Sequence, residues 1–583
     1  MKTWRIGIVG GLLSVLTGAA GEEKAEEKTG ELARQARGVL QRNCLRCHDG
    51  EGSAGGDFDL LDRENLVEKK VLTPGNVGAS RLLQKIVQGK MPPSGETPRP
   101  GVDEVGVLWN WIAAGAPAFP KDDANRPFTP LATVLAAARA DLASARDEDR
   151  PNLRYFTLHN VANDRGVSES DLNVARAALA KALNSLSREP RLVLPRAVDA
   201  ARTVYAVDIA RLGWNRGLLW LNVERAYPYG VHHPDTRQVE DELSERTQAD
   251  LPVIRADWFI ATALRPPLYH VLLRLPEQLA DLERELGVDP VARFLNPSPE
   301  TIARAGFARS GVSGQNRLVE RYDTRDRSYY WPSYDFKPGN GRASLTRFPL
   351  GPLNLFPAGR HPFAEQAFVH DGGEIIFGLP NGLQAYLLVN TEGKRIDVGP
   401  IDVVNDALRT SGTSEIVTGV SCMACHKHGM IDFEDTIRAN NAVFGKPLEQ
   451  LDRLYPAKAR MDEFLKEDTD RFLAALEKTI GPFLREGPEK ARPIRDFPEP
   501  VAEVARPYRL GYLDLAAVAR ELDLDDPARL EAEVGRTGLK RLGLDLLLDD
   551  GVVSRNDWEA RLQGLSLMQQ LARQLRLPPL IPR

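Results

Sequence analysis

The chain has four cysteines, and each lies in one of two Cys-x-x-Cys-His motifs: Cys44, Cys47 and His48 in the first, Cys422, Cys425 and His426 in the second. Two thiols at this spacing match the two vinyl groups of a haem, to which they add as thioethers. The histidine that follows directly reaches the iron from the same side as its proximal ligand. The motifs therefore predict two covalently attached haem c groups.

Three other uses of a Cys-x-x-Cys pair explain the sequence less well. A thioredoxin-like redox site follows a strand, and no strand pattern leads into Cys44. A zinc ion shared by the two pairs gives no reason for a histidine directly after each pair. Disulfides within the pairs also leave both histidines unexplained. Haem attachment accounts for the cysteines and the histidines together, and we favour it.

The segment after the first motif offers a second axial ligand. Met91 lies in the run Gly89-Lys-Met-Pro-Pro93, and the two prolines stiffen the loop that presents its sulfur. Ligation by histidine and methionine closes both axial positions and raises the reduction potential, which suits electron transfer. We predict His48 and Met91 as the axial ligands of the first haem iron.

The order of motifs in this segment resembles the planctomycete-type cytochrome c domain, a branch of the class I cytochrome c superfamily. The likeness rests on four runs: Cys44-Leu-Arg-Cys-His48, Ser80-Arg-Leu82, Gly89-Lys-Met-Pro-Pro93 and Leu108-Trp-Asn-Trp-Ile-Ala-Ala-Gly-Ala-Pro117. It implies three or more helices around the haem, with His48 and Met91 axial. The rest of the chain, with the second motif, resembles the large uncharacterised portion of some multidomain haem proteins, and this implies no activity.

The sequence leaves the distal ligand of the second haem open. His428 and Met430 follow His426 so closely that we expect them on the same side of the haem. His370, beside a predicted hairpin, is our first choice. The other candidates are His159, His232, His233, His270, His361 and Met461.

An iron without a distal ligand would bind peroxide or another small molecule and would be an active site. The stretch from 317 to 336 is rich in arginine, aspartate and tyrosine. Its candidates to line such a pocket are Arg317, Arg321, Tyr322 and Tyr329. A solvated loop or a packed interface explains this stretch as well, and we favour that interpretation.

The first residues predict export. Met1 to Arg5 is a short basic start, Ile6 to Leu16 is apolar, and Thr17 to Gly21 supplies small residues for cleavage. The apolar run is shorter than the roughly 20 residues of a membrane span, so we predict a cleaved signal peptide and a periplasmic protein that does not span the membrane. The formal net charge of -5 argues against a nucleic-acid partner.

Changes of pattern predict six segments: a signal peptide over 1–21, a cytochrome c-like haem domain over 22–120, a linker over 121–128, a helical domain over 129–300, a second haem-bearing region over 301–445 and a C-terminal helical region over 446–583. Ser168 and Asp171 predict the capped start of a helix. The runs on either side of Asn381-Gly382 predict a hairpin. The expected fold is mainly α: a helical class I cytochrome c-like domain, then a helix-rich α+β region with a small β hairpin.

These observations predict an exported dihaem c-type cytochrome that carries out one-electron transfer. Its partner would be a redox protein or a respiratory-chain component. The alternative is a dihaem peroxidase or dehydrogenase with the second haem, on Cys422, Cys425 and His426, as active site. A scaffold whose haems sense redox state is a third possibility.

Overall fold

The computed structural model describes residues 32–33, 35–40, 43–44, 48, 60–93, 99–119, 126–298, 302–308, 314–406, 409–549 and 551–582. The chain divides into two compact units between residues 124 and 125, inside the predicted linker 121–128. The predicted signal peptide lies outside the described residues. In the described part of the chain, no helix has the length and apolar character needed to cross a membrane.

The N-terminal unit is helical where it is described. Residues 35–40 are helical, and three helices follow: α1 (Arg63–Glu68), α2 (Arg81–Val87) and α3 (Val102–Ala113). Their apolar faces meet in a small core that includes Leu40, Leu83 and Trp111. This core is what holds the first motif and the Met91 loop in one domain.

The C-terminal unit mixes helices and strands along its whole length. Its helices are α4 (Leu131–Ser144), α5 (His159–Ala162), α6 (Glu169–Ser185), α7 (Leu219–Ala226), α8 (Arg237–Thr247), α9 (Ala256–Ala263), α10 (Leu268–Leu272), α11 (Leu279–Leu286), α12 (Pro290–Leu295), α13 (Val420–Cys425), α14 (Lys446–Leu454), α15 (Lys458–Leu484), α16 (Pro500–Leu510), α17 (Leu515–Glu521), α18 (Pro527–Arg541), α19 (Arg555–Glu559) and α20 (Leu567–Gln574).

Its strands are β1 (Leu153–Thr157), β2 (Arg196–Ala197), β3 (Val204–Asp208), β4 (Val253–Arg255), β5 (Ile302–Phe307), β6 (Arg317–Asp323), β7 (Tyr329–Asp335), β8 (Gly372–Gly378), β9 (Gln384–Asn390), β10 (Arg395–Ile396), β11 (Val398–Gly399), β12 (Ile416–Val417), β13 (Tyr512–Leu513), β14 (Val553–Ser554), β15 (Arg561–Leu562) and β16 (Leu565–Ser566). Strands β2-β3-β1-β4 form a four-stranded sheet, in that order.

The central element of this unit is a six-stranded sheet in the order β10-β9-β8-β7-β6-β5. Each neighbouring pair is antiparallel. The predicted hairpin is present as β8 and β9, but four more strands extend it. The expected mainly α fold is wrong, because the structure is 45% helix and 13% strand, an α+β mix.

The sheet escaped prediction because its strands bury charged residues on both faces. Arg304 on β5 pairs with Glu320 on β6 across the ladder, and both are buried. Buried charges are tolerated when they are paired, so these strands lack the alternation of apolar and polar residues that marks a half-exposed strand. The stretch from 317 to 336, which we interpreted as a loop or interface, forms two of the strands.

Helix α6 runs through the core of the C-terminal unit and packs against α9, α15 and α16. Its start is the predicted one: the Ser168 side chain accepts a hydrogen bond from the Asp171 backbone N–H, and the Asp171 side chain closes the capping box. Lys181 in this helix is buried and pairs with Glu499 at 2.7 Å. One apolar core links the helices to the six-stranded sheet.

Strands β7 and β8 approach closely at Gly373, where a Cβ atom would lie 1.9 Å from the Ser333 carbonyl oxygen. We predict that Gly373→Ala lowers the free energy of unfolding by about 2 kcal/mol or more, because the strands must move apart. Gly341→Ala is the matched control, since a Cβ there meets nothing within 4 Å. Chemical denaturation of both variants measures this, and equal stabilities would contradict the strand pairing.

Candidate haem sites

The first motif lies at the edge of the N-terminal core. The Cys44 backbone N–H donates to the Leu40 carbonyl at 2.9 Å, which continues the helical residues 35–40 into the motif. The Asn43 side chain donates to Val39 O at 2.9 Å and to Glu104 of α3 at 3.4 Å. Helix α3 thus fixes the start of the motif. Cys47 lies outside the described residues.

Met91 follows α2 in a loop that Arg99 braces. The Met91 backbone N–H donates to the Lys85 carbonyl at 3.1 Å. The Arg99 guanidinium donates to Pro93 O at 2.9 Å and to Gly89 O at 3.1 Å, so it ties both ends of the Met91 loop together. The Met91 side chain is 37% exposed.

The second motif occupies the short helix α13, which is wedged into the C-terminal unit. Gly419 precedes the helix with φ +90°, and a Cβ there would lie 2.5 Å from the Leu264 carbonyl oxygen. The Ser421 hydroxyl donates to Asp406 at 2.9 Å and accepts from the Val417 N–H at 3.2 Å. These contacts fix the position of α13 and therefore the direction of the Cys422 and Cys425 side chains.

Both thiols of the second motif are held in the protonated form. Burial and the nearby Glu374 carboxylate raise the pKa of Cys422 well above its usual value, and the same causes raise the pKa of Cys425 to about 12. Reactive redox cysteines have lowered pKa values, so a thioredoxin-like role does not fit. The two cysteines form no disulfide, and no group of three or more metal-binding side chains is present among the described residues.

The imidazole of His426 is oriented by its own loop. Its Nδ1 lies 3.2 Å from the Gly429 carbonyl oxygen, to which an Nδ1–H donates. That hydrogen bond fixes the tautomer and leaves the Nε2 lone pair free to bind a metal, as second-shell partners of metal-binding histidines do. Nε2 lies 3.9 Å from the Glu374 carboxylate.

Beside the motif lies a cavity of about 730 Å³, which Cys422, Cys425 and His426 all line. This volume falls within the roughly 300–1,000 Å³ of small-molecule and cofactor sites. One wall is a face of the six-stranded sheet, which includes alternate residues of its inner strands: Arg317 and Val319 of β6, Trp331, Ser333 and Asp335 of β7, and Glu374 and Ile376 of β8. The cavity reaches the surface at Ile431, whose side chain is 53% exposed.

Another part of the cavity lining is apolar. Leu388, Val403, Val404 and Ile416 form a small cluster apart from the main core, and all four line the cavity. A cavity of this size, with two thiols, an oriented imidazole and an apolar part of its lining, has room for a haem that would be attached through Cys422 and Cys425 and held by His426. The donor set and the space are compatible with a haem here, and its attachment at this motif stays a prediction.

The polar part of the cavity is a buried cluster on the sheet. Arg317 pairs with Asp335 at 2.6 Å and with Glu374 at 3.7 Å. Burial works to lower the pKa of Arg317, but the two carboxylates offset it and the pKa is raised, so this side chain stays charged. Of the four residues proposed for the pocket, Arg317 lines it.

The other three lie elsewhere. Arg321 forms a two-pronged pair with Asp468 of α15 at 3.0 and 3.1 Å, and Asp468 also accepts from the Trp331 indole at 2.8 Å. Tyr322 bonds to Glu320 on the other sheet face, and Tyr329 is buried without lining the cavity. Arg321 and Asp468 thus brace Trp331, which forms part of the wall.

The structure does not bring His370 to the cavity. Its ring packs against Tyr334 and Phe368, with centroids 5.1 and 6.4 Å away. Of the histidines in the described residues, His426 is the one that lines the cavity, and Met430 is the methionine that does. Ligation of the second iron by His370 stays a prediction that the cavity lining does not support.

Sequence reasoning missed Asp335 and Glu374. Neither belongs to a motif, and each becomes part of the site because β7 and β8 pair in the register that places both beside Arg317. The alternation Trp331-x-Ser333-x-Asp335 was the available signal, since it puts three polar or aromatic side chains on one face of a strand.

Comparison with known proteins supports the first site. The sequence model of the family described as planctomycete cytochrome C matches residues 44–95. This match supports a haem-binding cytochrome c domain in the N-terminal unit, as the order of motifs implied, and with it covalently bound haem c. No curated protein and no solved structure matches the chain.

Loss of the Arg99 brace should loosen the Met91 loop. We predict that Arg99→Gln weakens the methionine–iron bond by about 1 kcal/mol, because two hydrogen bonds from a charged donor are lost at an exposed site. Ferric haem with a methionine–iron bond has a weak absorption band at about 695 nm. On heating, Arg99→Gln should lose this band at a lower temperature than the unaltered protein. Arg81→Gln, at an exposed position of α2, is the control, and loss of the band at the same temperature in both variants would contradict the role of Arg99.

The buried position of His370 predicts how the free energy of unfolding depends on pH. Burial lowers the pKa of His370 to about 4, so the unfolded chain, with a pKa near 6.5, binds the proton first as pH falls. The free energy of unfolding should therefore drop between pH 6.5 and 4, with up to about 3 kcal/mol due to this residue, and His370→Gln should flatten that slope in urea titrations. An unchanged slope would contradict the buried neutral state. A changed haem spectrum in His370→Gln would restore His370 as an axial ligand.

Proposed function

We propose that the protein is an exported dihaem c-type cytochrome that carries out one-electron transfer. The observation that carries this proposal is the cavity of about 730 Å³ beside Cys422, Cys425 and His426, which gives the second motif the space that a haem needs. The family match supports the first haem site. When bound, the haem irons supply one-electron redox chemistry.

The residues of the second site have distinct tasks in this proposal. Cys422 and Cys425 tether the porphyrin edge, and the fixed start of α13 sets the direction of both thioethers. His426 holds the iron through Nε2, because Nδ1 is engaged by Gly429 O at 3.2 Å. Tyr386, whose ring centre lies 6.0 Å from that of His426, packs beside the imidazole and limits its rotation.

In the N-terminal unit, His48 and Met91 would hold the first haem iron. The Met91 loop is partly exposed, and a haem edge near the surface suits exchange with a redox partner protein or a respiratory-chain component. The apolar leader of residues 6–16 supports export to the periplasm, where haem is attached to such motifs. The net charge of -5 fits a protein partner better than nucleic acid.

A second candidate function follows from the lining of the cavity. Met430 is four residues after His426, too near along the chain to reach the opposite face of a haem that His426 holds. The described lining therefore offers the iron no second histidine or methionine opposite His426. A second iron with one free axial position would bind a small molecule, which favours a peroxidase or dehydrogenase activity at this haem.

The test is an intact mass and an optical spectrum of protein produced in a periplasm. We predict a mass increase of two haems, and binding of carbon monoxide by half of the reduced haem, because the first iron is closed by Met91. The double variant Cys422→Ser/Cys425→Ser should retain one haem and lose the carbon monoxide response. One haem in the unaltered protein would contradict the dihaem proposal. If the reduced protein binds no carbon monoxide, neither iron has a free axial position, and this would contradict the enzyme alternative and favour electron transfer.

A further inference from the structure

The side chains that line the second site carry more negative than positive charge. Among the described residues that line the cavity, one side chain is a permanent cation, Arg317, and five are carboxylates: Asp335, Asp371, Glu374, Asp432 and Glu434. Three of these charges are buried together on the sheet, in the cluster of Arg317, Asp335 and Glu374. That cluster carries a net charge of about -1 when both carboxylates are ionised.

Glu374 is the carboxylate nearest the proposed iron ligand. Its Oε2 lies 3.9 Å from His426 Nε2, the atom that would bind the iron, and its side chain is 12% exposed. The strand fixes its position, because the Glu374 N–H donates to the Ser333 hydroxyl at 3.0 Å. Water can screen little of a charge held this close in a buried site.

Arg317 does not cancel the charge of Glu374. Its shorter contact is with Asp335, at 2.6 Å, whereas Glu374 lies 3.7 Å away. The Cys422 thiol also hydrogen-bonds to Glu374, but its hydrogen is lost when the thioether forms, so the attached haem removes that donor. Glu374 then faces the haem as a carboxylate that shares one cation with a second carboxylate.

We propose that Glu374 makes the second haem the low-potential centre of the protein. The inference rests on the proposed dihaem function. Ferric iron carries one more positive charge than ferrous iron, so a buried carboxylate beside its ligand stabilises the oxidised form. The first haem should have the higher reduction potential, since methionine ligation raises the reduction potential of the iron. In the half-reduced protein the electron therefore resides on the first haem, and the second haem is oxidised.

An optical redox titration of the full-length holoprotein tests this. Two midpoints are expected, with the higher belonging to the haem that shows the methionine band near about 695 nm. Glu374→Gln should shift the lower midpoint to a more positive potential and leave the higher one in place. Glu374→Asp, which keeps the charge, should retain a low midpoint. Glu245→Gln removes a carboxylate from an exposed position on α8 and should shift neither.

The outcomes separate this inference from the function on which it depends. A single haem by intact mass overturns the proposed function. Two haems, with the methionine-bound one at the lower midpoint, overturn the inference and leave the dihaem function intact. An unshifted lower midpoint in Glu374→Gln overturns the role of Glu374. If that variant fails to bind its second haem, the lower midpoint of Glu374→Asp decides, because a shift in this variant, which keeps the charge, would contradict the role of the Glu374 carboxylate.

Discussion

The C-terminal unit depends on one constraint: helix α13 is separated by a cavity from a face of the six-stranded sheet, and that face buries charged side chains. Gly419 lets the chain turn into α13 against Leu264, and Ser421 anchors the helix start to Asp406. On the sheet, Arg317 and Asp335 form an ion pair at 2.6 Å. Because buried charges are tolerated when they are paired, this cluster can form a buried part of the cavity wall.

Those features of the chain that depend on local spacing could be read from the sequence. The two Cys-x-x-Cys-His motifs, the Met91 loop and the capped start of α6 at Ser168 each lie within a few residues of one another, and local spacing determines them. The boundary near residue 124 was also predictable, because proline and charged residues interrupt the apolar pattern there.

What the sequence could not predict depends on pairing between distant segments. Arg321 is neutralised by Asp468, which lies on another element far along the chain, so nothing near Arg321 indicates that it is buried. The ring contacts of His370 with Tyr334 and Phe368 could not be predicted for the same reason, and its role as a ligand stays a prediction. Because of such pairing, the stretch that resembled a polar loop forms two inner strands of the six-stranded sheet.

The two proposed haems would sit in contrasting surroundings. The first belongs to a small helical domain with a partly exposed methionine loop, which suits rapid exchange of electrons with a partner. The second would be held in the larger unit by residues that line a cavity between a sheet and a short helix, with carboxylates close to its histidine. This division would give one haem the transport of electrons and the other contact with a small molecule.

The central claim is that the cavity beside α13 holds a haem whose iron is bound by His426. The most direct measurement is X-ray diffraction from crystals of the holoprotein, with data collected at the iron absorption edge. The account predicts an anomalous iron peak within bonding distance of His426 Nε2, with continuous density from Cys422 and Cys425 to the porphyrin. Free thiols and no iron peak in this cavity, in protein whose first motif carries its haem, would contradict it.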